Sequence, residues 1–269
     1  MIETTQYGEV LQIKLRRDKG FTAVSCFLVD DLLVDSGPAH TAQELTEFLT
    51  NAKVKKAINT HHHEDHIAAN RFLQERYGIE IFAPPLVLDR INKPADLFPY
   101  QQEVWGYPIP SQVRPLGSSI STGTYTLEVI PTPGHDRDHI CLFEREQGWL
   151  FTGDTYTTRR PVVCRPMEDQ HQILEDLKVL RSLEPSILFP APTRVIMDPL
   201  DTLDETIEYL EDLGERIEGF HLKGMTPDEI MRQIFGEENP MAELTQQQFS
   251  SINMVNSFLK VLIQGTTSV

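Results

Sequence analysis

Four of the nine histidines in the chain fall within six residues, in the run Thr60-His61-His62-His63-Glu64-Asp65-His66. Imidazole is a common neutral metal ligand near neutral pH, and carboxylates complete hard or borderline sites. In an extended stretch His61 and His63 project to one side and His62 to the other. Asp65 and His66 follow at the turn into a helix, where they can face a second point. The spacing therefore offers two adjacent clusters of ligands, as a two-metal site needs. His62 is expected to lie off the site.

The surrounding pattern predicts how the cluster is positioned. Val54 to Asn59 reads as a short strand running into the cluster, and 67 to 77 as a helix closed by Gly78. Before it, Leu11, Ile13 and Leu15 alternate with polar residues, and Ala23–Val29 and Leu32–Asp35 form a hairpin across Asp30-Asp31. Thr41 and Glu44 have capping-box spacing ahead of a helix with Leu45, Phe48 and Leu49. Further strands are expected at Ile79–Ala83, Thr126–Ile130, Ile140–Glu144, Trp149–Thr152 and Ser186–Phe189, with a helix over Asp169–Leu183. Early hairpins followed by strands alternating with helices indicate layered α/β architecture. From about Asp201 the chain reads as helical, with a capping box at Thr226-Pro227-Asp228-Glu229 and a final helix over Gln246–Ile263. This gives two regions, 1–200 and 201–269.

The run His61-x-His63-x-Asp65-His66 resembles the signature of the metallo-β-lactamase superfamily. Three further landmarks follow in order. They are Leu33-Val34-Asp35-Ser36-Gly37, Pro131-Thr132-Pro133-Gly134-His135 and Phe151-Thr152-Gly153-Asp154. The resemblance covers residues 1 to about 200. It implies a four-layer αββα sandwich with a C-terminal helical appendage. It also implies a first metal held by His61, His63 and His135, a second by Asp65 and His66, Asp154 bridging both, and Asp35 bracing the loop. Zinc is the expected ion, one or two per chain, with iron or manganese as alternatives. One landmark departs from the pattern, since Pro192 stands where the superfamily supplies a further histidine to the second metal. His171 and His221 are the candidate replacements.

The activity this implies is hydrolysis of an ester, thioester, lactone, amide or small phosphodiester by an activated water, with Asp65 orienting or deprotonating it. Two alternatives follow from the same residues. One is an oxygenase with a single iron on His61, His135 and Asp154, resembling persulfide dioxygenases. The other is a degenerate metal-binding protein without turnover.

Several residues outside the motifs bear on the substrate. Prolines interrupt the segment between Pro84 and Pro115, which carries Trp105 and Tyr107 and reads as a lid, a pocket wall, a homodimer contact or a loop packed on the body. Arg159, Arg160 and Arg165 follow the Asp154 motif and read equally as a solvated charged stretch or as groups that meet a substrate anion. His139 is expected to form a hydrogen bond within its loop, and His40 is either a plain loop residue or part of the pocket. The net charge of -16 disfavours nucleic acid as a partner, which leaves a small molecule as the expected substrate. Three cysteines without a C-x-x-C read as buried thiols. No leader or membrane-length apolar run is visible, so a cytoplasmic protein is expected.

Overall fold

The computed structural model describes residues 1–18 and 23–266, with side chains through 260. The first half forms a sheet, buried on both faces at its centre, that runs β1 (Ile2–Tyr7), β2 (Val10–Leu15), β3 (Val24–Val29), β4 (Leu32–Val34), β5 (Lys56–Ile58), β6 (Glu80–Ala83) and β7 (Arg114–Pro115), in that spatial order. The first four strands are antiparallel and the last four parallel. Asp30 turns the β3–β4 hairpin with φ +51°, a left-handed conformation that Asp tolerates. On the outer face lie α1 (Ala42–Phe48), α2 (Glu64–Ile67) and α3 (Asn70–Tyr77). The short α4 (Leu88–Ile91) and α5 (Pro99–Val104) belong to the proline-rich segment.

A second sheet follows, of β8 (Ser119–Ser121), β9 (Thr126–Pro131), β10 (Ile140–Glu144), β11 (Trp149–Gly153), β12 (Ile187–Pro190) and β13 (Ile196–Met197). It is covered by α6 (Gln170–Ser182), α7 (Leu200–Leu222), α8 (Pro227–Phe235), α9 (Met241–Leu244) and α10 (Ser251–Thr266). No described helix is long and apolar enough to cross a membrane.

Three apolar layers hold these elements together. Phe27, Val34 and Ile58 of the first sheet meet Leu142, Phe151 and Phe189 of the second. Phe151 and Phe189 stack at 4.9 Å, with Phe27 edge-on to both, a geometry that adds to their burial. Outside the first sheet, Leu15, Cys26 and Leu33 pack on Leu45 and Leu73. Outside the second, Cys141, Leu150 and Leu188 pack on Leu177 of α6, Leu203 and Leu210 of α7, Ile230 of α8 and Phe258 of α10. The expected α/β sandwich of two sheets between helices is thus present, and the C-terminal helices share the outer layer of the second sheet. All three cysteines are free and buried.

Local expectations fail in three places, each for an identifiable reason. No capping box forms at Thr41. Its hydroxyl donates to the Pro38 carbonyl, and Glu44 is drawn off by the Met1 amino group at 2.8 Å. The single helix expected over 67–77 is divided between α2 and α3, because the Ala68 N–H leaves the helical ladder for the Gly37 carbonyl. The final helix starts at Ser251 rather than Gln246, since Gln246 and Gln247 both take positive φ and cannot continue a right-handed helix. At Thr226 the capping box forms as read, hydroxyl to Glu229 N–H and carboxylate to Thr226 N–H.

Candidate metal centre

The histidine cluster sits at the end of β5, where the parallel strands β4 and β5 deliver two loops side by side. Asp35, just past β4, takes φ +59° and points its carboxylate beneath the cluster. It accepts from the Thr60 N–H at 2.8 Å, from the Thr60 hydroxyl at 2.9 Å and from His66 Nδ1 at 2.8 Å. These contacts fix two tautomers. Since Thr60 Oγ1 donates to Asp35, it can only accept from His61 Nδ1, 3.0 Å away, which frees His61 Nε2. His66 likewise spends Nδ1 on Asp35 and turns Nε2 inward. Orientation of ligating histidines through their far nitrogen is a general feature of metal sites.

The third loop, 132–139, is seated by close approach. A side chain on Gly134 would bring its Cβ within 2.4 Å of the Ile173 backbone nitrogen. The Gly134 N–H donates to Asp176 at 2.8 Å and its carbonyl accepts from Asp169. His135 then lies with Nδ1 3.3 Å from Glu168, leaving Nε2 for the centre. Asp154 follows β11, and its backbone N–H donates to His139 Nε2 at 3.0 Å. Gly153 permits this, because a Cβ there would stand 2.5 Å from that nitrogen.

The free atoms converge in two groups that share Asp154, beside a separate cluster of His62, His63 and Asp136. His61 Nε2 and His135 Nε2 lie 2.8 and 3.1 Å from His63 Nδ1, and Asp154 Oδ2 lies 3.7 Å from His135 Nε2. On its other side, Asp154 Oδ1 is 3.4 Å from His66 Nε2, which is 3.6 Å from Asp65 Oδ2. A tetrahedral ion with ligand bonds of about 2.1 Å separates its ligand atoms by about 3.4 Å. Both groups are on that scale. A second observation agrees with the first. His66 Nε2, Asp65 Oδ1 and Asp154 Oδ1 are buried without a hydrogen-bond partner, and their three residues form one of the ligand groups. Orphaned buried donors and acceptors are costly, and a cation is what this donor set lacks. His61, His63, His135 and Asp154 could hold one divalent metal, and Asp65, His66 and Asp154 a second.

The electrostatics of the metal-free protein follow from burial. Burial, reinforced by neighbouring imidazoles and by Arg165 beside His63, holds His61, His63 and His139 well below the usual histidine range. For His66 burial is outweighed by Asp154, Asp65 and Asp35, which hold it well above that range. Burial pushes Asp65 up to about 7 despite His66. Asp154 is held below the ordinary carboxylate range, because His66 and His135 overcome its burial.

The remaining residues singled out from the sequence are dispersed. His62 points away, to Asp138 at 3.1 Å and Arg90 at 2.9 Å. His139 sits beneath Asp154, its Nδ1 2.9 Å from the Thr132 hydroxyl. His40 meets the Glu103 carbonyl. His171 meets the Phe258 carbonyl, away from the second group, and neither it nor His221 belongs to the described ligand groups. Pro192 follows Ala191, which pairs with Gly153 and Ser25, and the second group as described comprises Asp65, His66 and Asp154. Arg159 pairs with Glu205, and Arg160 is exposed. Trp105 is buried in the outer core of the first sheet, and Tyr107 is exposed.

A cavity of about 460 Å³ adjoins the centre at His63. Part of the proline-rich segment walls it. Gln101 of α5 donates to the buried Glu64 at 2.8 Å and so ties that wall to the ligand loop. Sequence reasoning passed over Glu64, Gln101 and Glu168, whose partners are remote in the chain.

Residues 20–191 match the metallo-β-lactamase superfamily. A hydroxyacylglutathione hydrolase of Rhizobium etli is 34% identical over 135 residues, 48% of this chain and 44% of that protein. The chain thus spans under half the length of that relative. A probable metallo-hydrolase of Bacillus subtilis, YybB, is 26% identical over 59% of this chain and 74% of its own length. Among solved structures, a metallo-β-lactamase family protein of Thermus thermophilus superposes with a TM-score of 0.69 at 18% identity, covering 97% of this chain and 95% of that one. A β-lactamase domain protein of Burkholderia ambifaria gives 0.73 at 16% identity, covering 98% and 88%.

Proposed function

The chain belongs to the metallo-β-lactamase superfamily, and from that membership we propose that it is a metal-dependent hydrolase of small acyl compounds, thioesters foremost. The observation that carries the reading is the double-sided Asp154, one oxygen turned to His135 and the other to His66. The thioester preference draws on the hydroxyacylglutathione hydrolases among the relatives. Three imidazoles with a carboxylate suit zinc, and iron or manganese also accept such donors.

A divalent metal held by these groups polarises a carbonyl and brings the pKa of water down to about 7. Asp65 would orient the water and take its proton. Oxygen then adds to the acyl carbon, the C–S bond breaks, and the departing thiolate receives the proton that Asp65 accepted. Asp35 and Glu168 keep His61, His66 and His135 turned inward throughout. The Glu64–Gln101 contact holds the cavity wall against the ligand loop.

The test is metal analysis of the purified protein together with turnover of generic thioesters, esters, lactones and phosphodiesters. At least one zinc per chain and thioester cleavage sustain the reading. A single iron with oxygen uptake would assign the protein to oxygenase chemistry, and no metal after reconstitution would mark a centre without turnover.

A further inference from the structure

The cavity beside the centre is chemically lopsided. Much of its wall is apolar, with Ile67, Ile91, Leu97, Phe98, Ile109 and Met167. At the end facing the centre stands a guanidinium. Arg165 is only 6% exposed, yet it lines the cavity. Its Nη1 lies 3.1 Å from His63 Nε2, and its head group sits 4.9 Å over the Phe249 ring. Nε is buried without a partner, and among the described residues no carboxylate comes within ion-pairing distance of it. The other cavity cations are engaged, Arg90 by Asp136 and His62, and Lys93 by Asp89. Glu64, Asp65 and Glu168 oppose its charge only from beyond ion-pairing distance, and an aromatic face offsets only part of the cost of burying a cation without a direct partner.

The fold prevents Arg165 from escaping to solvent. Cys164 exchanges two backbone hydrogen bonds with Ser250, both at 3.3 Å. Asn253 donates to the Cys164 carbonyl, Lys260 to that of Pro166, and Ser257 to that of Glu168. The strap 164–168 is thereby hung on α10. A rigidly held, desolvated and unpaired cation next to a reaction centre is what recognition of a substrate anion requires.

We infer that Arg165 is the anion receptor of this site: the substrate carries a carboxylate close to the bond that is cut and an apolar chain that lies along the wall of Ile91, Leu97, Phe98 and Ile109. A single negative charge matches the single guanidinium, and Glu64, Asp136 and Glu168 nearby oppose a doubly charged phosphate. The inference rests on the acyl-hydrolase reading for what is cut, and on the cavity alone for what is bound.

The test compares S-succinyl-N-acetylcysteamine with its methyl ester, which has nearly the same shape and no charge, on the zinc-loaded full chain. The wild type should favour the anion in kcat/KM by on the order of 10- to 100-fold, the span of a charged hydrogen bond. Arg165→Met should bring that ratio to within about threefold of unity, and Arg165→Lys should restore part of it. A wild type without the preference overturns the inference. So does a variant in which both substrates fall equally, the behaviour of a merely structural residue. If neither thioester is cleaved, the hydrolase reading fails by itself. Calorimetric titration of monomethyl succinate then decides the anion site. Binding that is lost in Arg165→Met sustains it, and equal binding or no binding overturns it.

Discussion

Asp35→Asn should separate the second metal from the stability of the fold. Asn is nearly isosteric and tolerates the left-handed backbone at this position, φ +59°. Its carbonyl can keep the Thr60 N–H, but its amide now faces the Thr60 hydroxyl and His66 Nδ1, which it met as an acceptor. Two buried donors facing a donor would cost roughly 2–6 kcal/mol together if nothing adjusted. His66, held protonated in the metal-free protein, can adjust by giving up its Nδ1 proton, accepting from Asn there and keeping its hydrogen on Nε2. That hydrogen then points at Asp154 and Asp65, 3.4 and 3.6 Å away, a favourable arrangement without metal and a prohibitive one with it. The metal-free variant should therefore lose only about 1–2 kcal/mol, a shift of a few degrees in Tm. The second metal should weaken by at least the roughly 10–100-fold usual for loss of a partner behind a ligand. Asp35→Ala, with no group to compensate and an added left-handed strain of about 1–2 kcal/mol, should melt far lower. Chelator competition reports the metals and calorimetry the melting. An Asp35→Asn protein that holds two metals as tightly as the wild type would refute the tautomer argument.

Other outcomes follow from the same geometry. Asp154→Ala should empty both metal positions while His62→Ala retains them, measured by elemental analysis, because only Asp154 faces both groups. Gly153→Ala should lower Tm sharply and reduce metal content, since the added methyl meets His139 Nε2 at 2.5 Å and Thr60 Oγ1 at 2.9 Å; an unchanged Tm would contradict this. Burial depresses His61, His63 and His139 in the folded state, so the unfolded chain takes up protons first. Stability of the metal-loaded protein should be complete above about pH 6.5 and lost as pH falls below it. His66 and His135 shift the other way without metal, but they too must be unprotonated to serve as ligands. Denaturant titrations between pH 8 and 5 test the sign. Finally, burial pushes Cys141 up to about 12 and raises Cys26 and Cys164 as well, so no thiol should react with Ellman's reagent at neutral pH before unfolding.

What the sequence reveals of this site is what lies close together along the chain. His61, His63, Asp65 and His66 announce themselves by spacing, and the αL turn at Asp35 and the close-packed Gly134 and Gly153 sit inside recognisable motifs. The central strands were legible because their apolar runs fill the space between two sheets. The margins were not. β8 and β13 are too short to show a period, and α4 and α5 lie among prolines that mask theirs. Glu168 and Gln101 carry no local signal, because their meaning depends on His135 and Glu64, 33 and 37 residues away. Arg159, Arg160 and Arg165 look alike in sequence. Folding gives Arg159 to Glu205, leaves Arg160 in solvent and buries only Arg165.

That difference assigns a task to the C-terminal helices. They close the outer layer of the second sheet, but packing alone does not explain why α10 holds the strap with Asn253, Ser257 and Lys260, each donating to a different backbone carbonyl. The strap carries two side chains to the centre, Glu168 against His135 and Arg165 against His63. The segment before α10 supplies Phe249 over the guanidinium and Gln248 to the cavity wall. The candidate metal ligands follow strands of the two sheets, whereas the cation and its aromatic seat depend on the helices. A change at α10 such as Ser257→Ala should then disturb substrate preference before it disturbs metal content. It removes a buried hydroxyl that both donates to Glu168 O and accepts from Gln170 N, at a cost of about 1–3 kcal/mol, while leaving every ligand atom in place. Equal loss of metal and of selectivity would show instead that strap and metal loop move as one body.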